Sequence, residues 1–295
     1  MAAGARWAIL VVCAVGSACV GGRDGGPGDP GCVAPQIVGD TRALEIDLRF
    51  DGYDRSYVVH VPPALNPAEP HPLVLSFHGQ GSGALDQMDL SQLNVTADAR
   101  RFLVVYPEGL FGSWNAGACC GRSAADAIDD VAFVRAIVSD LRQKVCVDTR
   151  RIYATGMAWG ASFTHRLACD APDLIAAAAP VSGALELASC SPSRPVPLLM
   201  MQGTDDEISD PRAAQTSFGV WQALDGCSSG AAAREGRCDV NASCSADARV
   251  GLCLLDGFAH CWPGNPDCPF GRATSPLDFS ANVEMWRFFE RHRLP

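Results

Sequence analysis

Hydrophobic and polar positions alternate in two early runs, ALEIDLRF (43–50) and RSYVVHVP (55–62), on either side of the turn signal DGYD. Alternation flanking a turn predicts an antiparallel hairpin. Further along, short and continuous apolar runs replace the alternation, at 72–77, 102–107, 151–156, 175–183, 197–203 and 249–257. Continuous apolar runs are typical of strands that are buried on both faces of a sheet.

Segments with helical periodicity separate these runs. The clearest spans 127–144 and places its apolar residues along one stripe: Ile128, Val131, Val134, Ile137, Val138 and Leu141. Shorter helical candidates lie at 161–169, 213–224 and 282–292. Strands that alternate with helices predict an α/β fold with a mostly parallel, doubly wound sheet, in which the N-terminal hairpin forms an antiparallel edge. The composition does not break after residue 35, so we expect one domain over 35–295 without a large lid domain.

The N-terminus has the pattern of a targeting segment. Arg6 precedes WAILVVCAV, an apolar stretch of signal-peptide length that is too short to span a membrane. The small residues of VGSAC resemble a bacterial lipobox, in which Cys19 is lipidated, although Gly16 stands where leucine is usual; cleavage near Ala18 is the alternative. We predict a signal segment over 1–19 and a flexible tether over 20–34. The protein would be extracellular or periplasmic, either free or anchored as a lipoprotein.

Charge and cysteine content limit the function further. The net charge is -10 without a long basic run, which argues against nucleic acid and anionic membrane surfaces as partners. Of 14 cysteines, two lie in the predicted leader, which leaves an even twelve. Their scattered spacing predicts disulfides in an oxidising compartment and no metal site. We expect the neighbours Cys119 and Cys120 to reach two different partners.

Four polar loop segments follow predicted strands, where the sites of doubly wound sheets lie. They are His78-Gly79-Gln80, GMAWG (156–160), GTDD (203–206) and the segment around His260. Each alone is weak evidence, because glycine turns and single histidines are common. Together they follow the order nucleophile, acid, histidine that α/β-hydrolases use, but the hydrolase motif G-x-S-x-G carries Ala158 in place of its serine.

Longer stretches extend this pattern: SWNAGACCG (113–121), IDDVAFVRAIV (128–138), VDTRRIYATGMAWGA (147–161), QGTDDEI (202–208) and FAHCWPG (258–264). With them the chain resembles the secreted esterase family that groups polyhydroxybutyrate depolymerases with feruloyl and acetylxylan esterases. The resemblance covers roughly residues 40–290. It implies an α/β-hydrolase fold and carboxylic-ester hydrolysis through a Ser-Asp-His acyl-enzyme mechanism, without a cofactor.

The resemblance also implies roles for particular residues. The family's histidine falls on His260 and its acid on Asp206, with Asp205 as the less favoured neighbour. The two backbone donors of the oxyanion hole would belong to Gln80 and Trp159.

Other motif residues would shape the surroundings of that site. Asn115 and Trp262 would wall the substrate pocket, whereas Asp129 and Asp130 are expected to start and orient a helix. The chain departs from the family's pattern at four further positions: Trp159, Ala161, Gln202 and Cys261.

Alanine at position 158 leaves three hypotheses open. The chain is an engineered Ser-to-Ala form of an esterase, a natural inactive homologue that binds an ester, aromatic acid or glycan, or an enzyme by an unrecognised route. Ser162 lies one helical turn further on and is a poor substitute, because it would point away from the oxyanion hole. In each case the expected ligand is a small or oligomeric ester, and we expect a monomer.

Overall fold

The computed structural model describes Ile37 and residues 41–63, 65–230, 232–267 and 279–295. The predicted signal segment, Cys19 and the tether lie outside these residues. Ten described strands form one sheet: β1 (Thr41–Phe50), β2 (Tyr53–Val61), β3 (His71–Phe77), β4 (Leu103–Pro107), β5 (Val147–Met157), β6 (Ala177–Val181), β7 (Leu198–Gly203), β8 (Ala233–Glu235), β9 (Cys238–Asn241) and β10 (Val250–Leu255).

The strand order is β1-β2-β4-β3-β5-β6-β7-β10-β9-β8. The six central strands, from β4 to β10 in this order, run parallel. The hairpin β1–β2 adds antiparallel strands at one edge, and β9 and β8 add antiparallel strands at the other. The predicted mostly parallel sheet with an antiparallel N-terminal hairpin is therefore confirmed.

Helices cover both faces of the sheet: α1 (Ala84–Ser91), α2 (Leu93–Arg100), α3 (Gly121–Ala125), α4 (Asp130–Leu141), α5 (Trp159–Asp170), α6 (Pro211–Leu224) and α7 (Ala281–Phe289). Strand β3 shows why two faces need covering: Leu75 and Phe77 belong to the core beneath α4–α6, whereas Val74 belongs to the core beneath α1, α2 and α7. Alternate side chains of a strand point to opposite faces, so an apolar run fills both cores. None of the described helices has both the length and the apolar composition that crossing a membrane would require.

Asp129 and Asp130 begin and orient a helix, as expected. Asp129 is the N-cap of α4, and its carboxylate accepts a hydrogen bond from the Ala132 N–H at 2.9 Å. Asp130 is buried and pairs with Arg55 at 2.9 Å. Burial raises the pKa of Asp130, and the charge of Arg55 opposes this rise. The pair fixes the start of α4 against β2.

Helices α1, α2 and α3 and the hairpin β8–β9 are absent from the sequence prediction. Helices α1 and α2 are short, and α1 depends on a distant group, since the carboxylate of Glu108 accepts a hydrogen bond from the Ala84 N–H at 2.7 Å. The hairpin β8–β9 forms the far edge of the sheet, and all three residues of β8 are exposed. These segments lack the apolar periodicity on which the prediction relied.

Disulfides are present, as the cysteine content predicts. Three of them join Cys169 to Cys190, Cys227 to Cys244, and Cys238 to Cys253. Cys146 and Cys261 are disulfide-bonded as well. The expectation for the adjacent cysteines is wrong: Cys119 and Cys120 are bonded to each other across a cis peptide bond, and therefore not to two different partners.

Candidate active site

Ala158 lies in a sharp turn between β5 and α5, with φ 52° and ψ -115°. A residue other than glycine adopts such a conformation only when its surroundings enforce it. The flanking glycines allow the turn to pack: a Cβ on Gly160 would lie 2.2 Å from the Phe77 carbonyl oxygen, and one on Gly156 would lie 2.6 Å from the carbonyl group of Gly160. This is the conformation that the nucleophile-elbow motif requires, here built around an alanine.

Asp206 and His260 meet beside this turn. Their loops follow β7 and β10, which are neighbouring parallel strands in register, so the two loops leave the sheet side by side. The imidazole Nδ1 lies 2.8 Å from Asp206 Oδ2 and 3.0 Å from Oδ1. Both side chains are buried, whereas the neighbouring Asp205 is exposed and accepts a hydrogen bond from Thr204.

The Asp206 carboxylate has several further donors. Its Oδ1 accepts hydrogen bonds from the backbone N–H groups of Ile208 at 3.0 Å and Ser209 at 2.8 Å, and its Oδ2 accepts one from the Gln202 side-chain amide at 2.8 Å. Burial alone would raise the pKa of Asp206, but the hydrogen bonds from His260 and Ser209 outweigh it and lower the pKa. The carboxylate is therefore held ionised and oriented toward the imidazole.

The loop after β3 approaches the elbow from the other side. A Cβ on Gly79 would lie 3.7 Å from the Ala158 Cβ. His78 fixes this loop: its Nδ1–H donates to the Gly79 carbonyl at 2.8 Å, and its Nε2 accepts from the Gly109 N–H at 2.9 Å. Burial lowers the pKa of His78, which favours the neutral imidazole that these two bonds require. His78 is thus a structural part of the segment that carries Gln80.

The backbone N–H groups of Gln80 and Trp159 have no hydrogen-bond acceptor among the described residues. Trp159 is the first residue of α5, where helical N–H groups lack internal partners and the helix dipole is positive. Gln80 and Trp159 both line a cavity that lies over the elbow. Their N–H groups are therefore available to a ligand oxygen at the elbow.

A cavity of about 300 Å3 lies over the elbow. Its lining residues are Gly79, Gln80, Ser82, Asp86, Leu90, Met157, Ala158, Trp159, Ile208 and His260. Most of this lining is apolar, with Asp86 as a carboxylate at its margin. Ile208 is 63% exposed and stands at the mouth. The indole of Trp159 also packs on the α3 side, because a Cβ on Gly121 would come within 2.8 Å of its ring.

Asn115 and Trp262 are not part of this lining among the described residues. The Asn115 side-chain amide donates to the Ile128 carbonyl at 2.9 Å, and its backbone N–H donates to Asp130 at 2.8 Å. The Trp262 indole N–H donates to Asn282 at 2.9 Å in the buried contact with α7. Both residues brace the loops next to the cavity.

Ser162 is also outside the lining. It is buried in α5, and its backbone N–H donates to the Ala158 carbonyl at 3.0 Å. The sequence prediction missed several lining residues, above all Asp86 and Leu90 on α1 and Ile208 after β7. It also gave Gln202 no role at Asp206, although Gln202 was one of the departures from the family's pattern. Within the part of the chain that the structure describes, no group of three or more His, Cys, Asp or Glu side chains could hold a metal ion.

Comparison with known families accounts for this arrangement. Residues 55–214 match the family described as Esterase PHB depolymerase. The chain belongs to this family. It is 30% identical to Feruloyl esterase B of Piromyces equi in an alignment of 234 positions that covers 70% of this chain and 42% of that protein. It is 27% identical to Feruloyl esterase C of Emericella nidulans in an alignment of 178 positions that covers 59% of this chain and 63% of that protein.

A solved acetyl xylan esterase from Aspergillus awamori superimposes with a TM-score of 0.59 at 14% identity, covering 74% of this chain and 94% of that one. At this identity the likeness shows the fold alone, and it confirms the α/β-hydrolase fold. The matched segments span 42% and 63% of the two feruloyl esterases, so less than two thirds of either. The comparisons therefore give the family and the fold of this chain.

Proposed function

We propose that this is an exported protein whose site is built for carboxylic-ester hydrolysis and lacks the nucleophile at Ala158. The observation that carries the proposal is the alanine itself, which holds the φ 52°, ψ -115° turn at the floor of a cavity that His260 lines. Asp206 bonds that imidazole at 2.8 Å. A strained turn beside a buried His–Asp pair is the arrangement of an acyl-transfer site.

The proposed roles follow from this arrangement. A serine at position 158 would attack the ester carbonyl, His260 would take its proton, and Asp206 would orient the imidazole. The N–H groups of Gln80 and Trp159 would stabilise the oxyanion. Loss of a triad nucleophile costs on the order of a millionfold in kcat, so the chain with Ala158 forms no acyl-enzyme at this site.

Hydrolysis of short aryl esters tests this function. We compare the chain with its Ala158→Ser variant and with the double variant Ala158→Ser, His260→Ala. The single variant is expected to gain several powers of ten in kcat/KM, and the double variant to lose that gain. An increase below about tenfold, or roughly 1.4 kcal/mol of barrier, would contradict the ester-hydrolysis proposal. Ser162→Ala on the Ala158→Ser background is the matched control, because it removes a buried hydroxyl of the same helix that lies outside the cavity.

A binding function is the second candidate. Trp159 occupies the place of a smaller residue in the family's pattern and narrows the cavity, while the apolar lining persists. A homologue that only binds its ligand would keep such a lining and would gain little from Ala158→Ser. The same ester assay therefore separates the two candidates.

The disulfides support the proposed export, since such bonds persist in oxidising compartments. Lipidation at Cys19 is one form of this export, and a freely secreted protein is the other. Radiolabelled palmitate incorporation with a Cys19→Ala control would separate them. We propose a small or oligomeric ester as the ligand.

A further inference from the structure

Asp86 places a carboxylate in the mostly apolar lining of the cavity that Ala158 and His260 share. It lies in the first turn of α1. Its Oδ2 accepts hydrogen bonds from the Gly83 N–H at 3.0 Å and from the Ser82 hydroxyl at 3.3 Å. Closing the start of a helix in this way is a structural role, and it occupies one oxygen of the carboxylate.

The other oxygen of Asp86, Oδ1, accepts no hydrogen bond from the described residues. An ionised carboxylate oxygen can accept at least two hydrogen bonds, so Oδ1 has its full capacity left. The two bonds to Oδ2 hold the side chain in place before a ligand arrives. Because a preorganised group loses little conformational entropy on binding, Oδ1 is well suited to receive a donor from a ligand in the cavity.

The negative charge of Asp86 is not balanced by a cation of the cavity wall. Among the described residues, neither lysine nor arginine lines this cavity or the adjoining one that shares Asp86 with it. His260, the basic side chain of the lining, is paired with Asp206. Glu108 adds a further carboxylate at the start of α1, where it accepts from the Ala84 N–H. The helix N-terminus is equivalent to about half a positive charge and offsets only part of the two carboxylates.

We propose that Asp86 is a specificity-determining residue, which makes this cavity select esters that carry an ammonium group. The proposal rests on the proposed function for the place of the ester group, at the elbow around Ala158, and adds the charge of the substrate. The apolar body of the ester would lie against Leu90, Met157 and Ile208, and its ammonium group would donate to Asp86 Oδ1. A volume of about 300 Å3 suits one ring or a short chain between these two ends.

The expected selection is moderate, because Asp86 is also exposed to solvent. An ion pair in open water contributes little, since water screens both charges. The apolar walls exclude water on the cavity side of the carboxylate, and a charge-assisted hydrogen bond is about twice as strong as a neutral one. We therefore expect an ammonium group to improve binding about threefold or more, and an anionic group at the same place to weaken it.

Isothermal titration calorimetry at neutral pH tests the proposal on the chain with Ala158, which should bind esters without cleaving them. Methyl para-(aminomethyl)benzoate should bind about threefold or more tightly than methyl para-ethylbenzoate, which has nearly the same shape and no charge. Monomethyl terephthalate, which is anionic, should bind more weakly than either. A second pair, para-(aminomethyl)phenyl acetate and para-ethylphenyl acetate, carries the ammonium group on the alcohol part. The pair with the larger ratio identifies the part of the ester that lies toward Asp86. A smaller ratio than about threefold in both pairs, or undetectable binding of both cationic esters, would overturn the proposal.

Variants assign the selection to Asp86. Asp86→Asn keeps an acceptor for the Gly83 N–H and removes the charge, so the cationic ester should lose its advantage over the ethyl ester. Asp89→Asn is the matched control, because Asp89 lies on the same helix and lines only the adjoining cavity; this variant should keep the advantage. Equal losses in the two variants, or an advantage that survives in Asp86→Asn, would contradict the role of Asp86.

The same measurements separate this inference from the proposed function. If Ala158→Ser hydrolyses neutral aryl esters while the chain does not discriminate ammonium from ethyl, this inference fails and the proposed function stands. If the advantage of the cationic ester depends on Asp86 while Ala158→Ser is inactive, the inference stands and ester hydrolysis is contradicted.

Discussion

Gln202 donates its side-chain amide to Asp206, with 2.8 Å between Nε2 and Oδ2. The same carboxylate oxygen lies 2.8 Å from the Nδ1 of His260. Gln202 is buried, and its Oε1 has no hydrogen-bond partner among the described residues. Leaving the buried Oε1 without a partner costs free energy. The hydrogen bonds that Nε2 donates, including the one to Asp206, are therefore what hold the amide in this orientation. Gln202 is a positioning residue for the His–Asp pair.

Replacing Gln202 should therefore impair an active form of the site. On the Ala158→Ser background, we expect Gln202→Leu to lower kcat about tenfold with little change in KM, because one donor to Asp206 is lost. The hydrogen bonds lower the pKa of Asp206, so losing one raises that pKa and moves the acidic limb of the pH–rate profile toward neutral pH. Gln202→His, which keeps a side-chain N–H donor at this position, is the matched control and should retain most of the activity. Unchanged kcat and an unmoved acidic limb in Gln202→Leu would show that the amide only fills space.

Trp159 should set the length of acyl chain that the cavity accepts. Its side chain lines the cavity and packs against Gly121. On the Ala158→Ser background, Trp159→Asn keeps the backbone N–H and removes most of the ring. We expect the ratio of kcat/KM for octanoyl over acetyl aryl esters to rise about tenfold or more, since each buried methylene is worth about that much. The alternative is a packing role, in which case the ratio stays constant and only the free energy of unfolding falls.

The sequence is most informative where pattern and chemistry coincide, and least informative where the direction of a side chain matters. Asp206 could be chosen over Asp205 from the motif, and the structure indeed brings Asp206 to His260. Asn115 belongs to a motif beside the site, yet its amide bonds the Ile128 carbonyl and not the cavity. The direction of the Asn115 side chain depends on how loops that are distant in the sequence pack together, and a local sequence pattern does not contain this information.

The cavity residues on α1 could not be predicted for a similar reason. This helix is short, and its start is satisfied by Glu108 from the end of another strand. The pattern of apolar residues therefore gave no sign that Asp86 and Leu90 of this helix would line the cavity. The parallel strands were predictable because the side chains of each strand pack into the cores on both faces of the sheet. Such a strand is a continuous apolar run in the sequence.

The cysteines of the described disulfides should be oxidised in the mature protein. Mass spectrometry after alkylation without reductant should find cross-linked peptides for Cys169–Cys190, Cys227–Cys244 and Cys238–Cys253. The Cys119–Cys120 pair should appear within one peptide that is lighter by two hydrogens. Loss of one such bridge typically costs about 2–5 kcal/mol in a small secreted domain. Alkylation of most of these cysteines would contradict both the pairings and the oxidising compartment.

Asp225 should make the stability of the fold depend on pH. Its carboxyl group is fully buried, its Oδ1 accepts from the Val196 N–H at 3.0 Å, and its Oδ2 has no partner among the described residues. Burial raises the pKa of Asp225 from 3.8 to about 7, against the opposing effects of the Val196 N–H and the charge of Arg194. Between these two pKa values the folded state holds a proton that the unfolded state has released. The free energy of unfolding therefore falls as pH rises through this window, by at most about 1.4 kcal/mol per pH unit, and levels off above the folded pKa.

Replacing Asp225 by asparagine isolates this contribution. Asp225→Asn keeps an acceptor for the Val196 N–H and removes the titration, so its free energy of unfolding should fall less steeply than that of the parent between about pH 5 and pH 7. Urea unfolding at a series of pH values measures both slopes. Asp239→Asn removes a carboxylate that pairs with Arg234 at the surface, and it should leave the parent slope nearly intact. Parallel curves for the parent and Asp225→Asn would mean that Asp225 is already ionised in the folded protein, with Arg194 close enough to offset its burial.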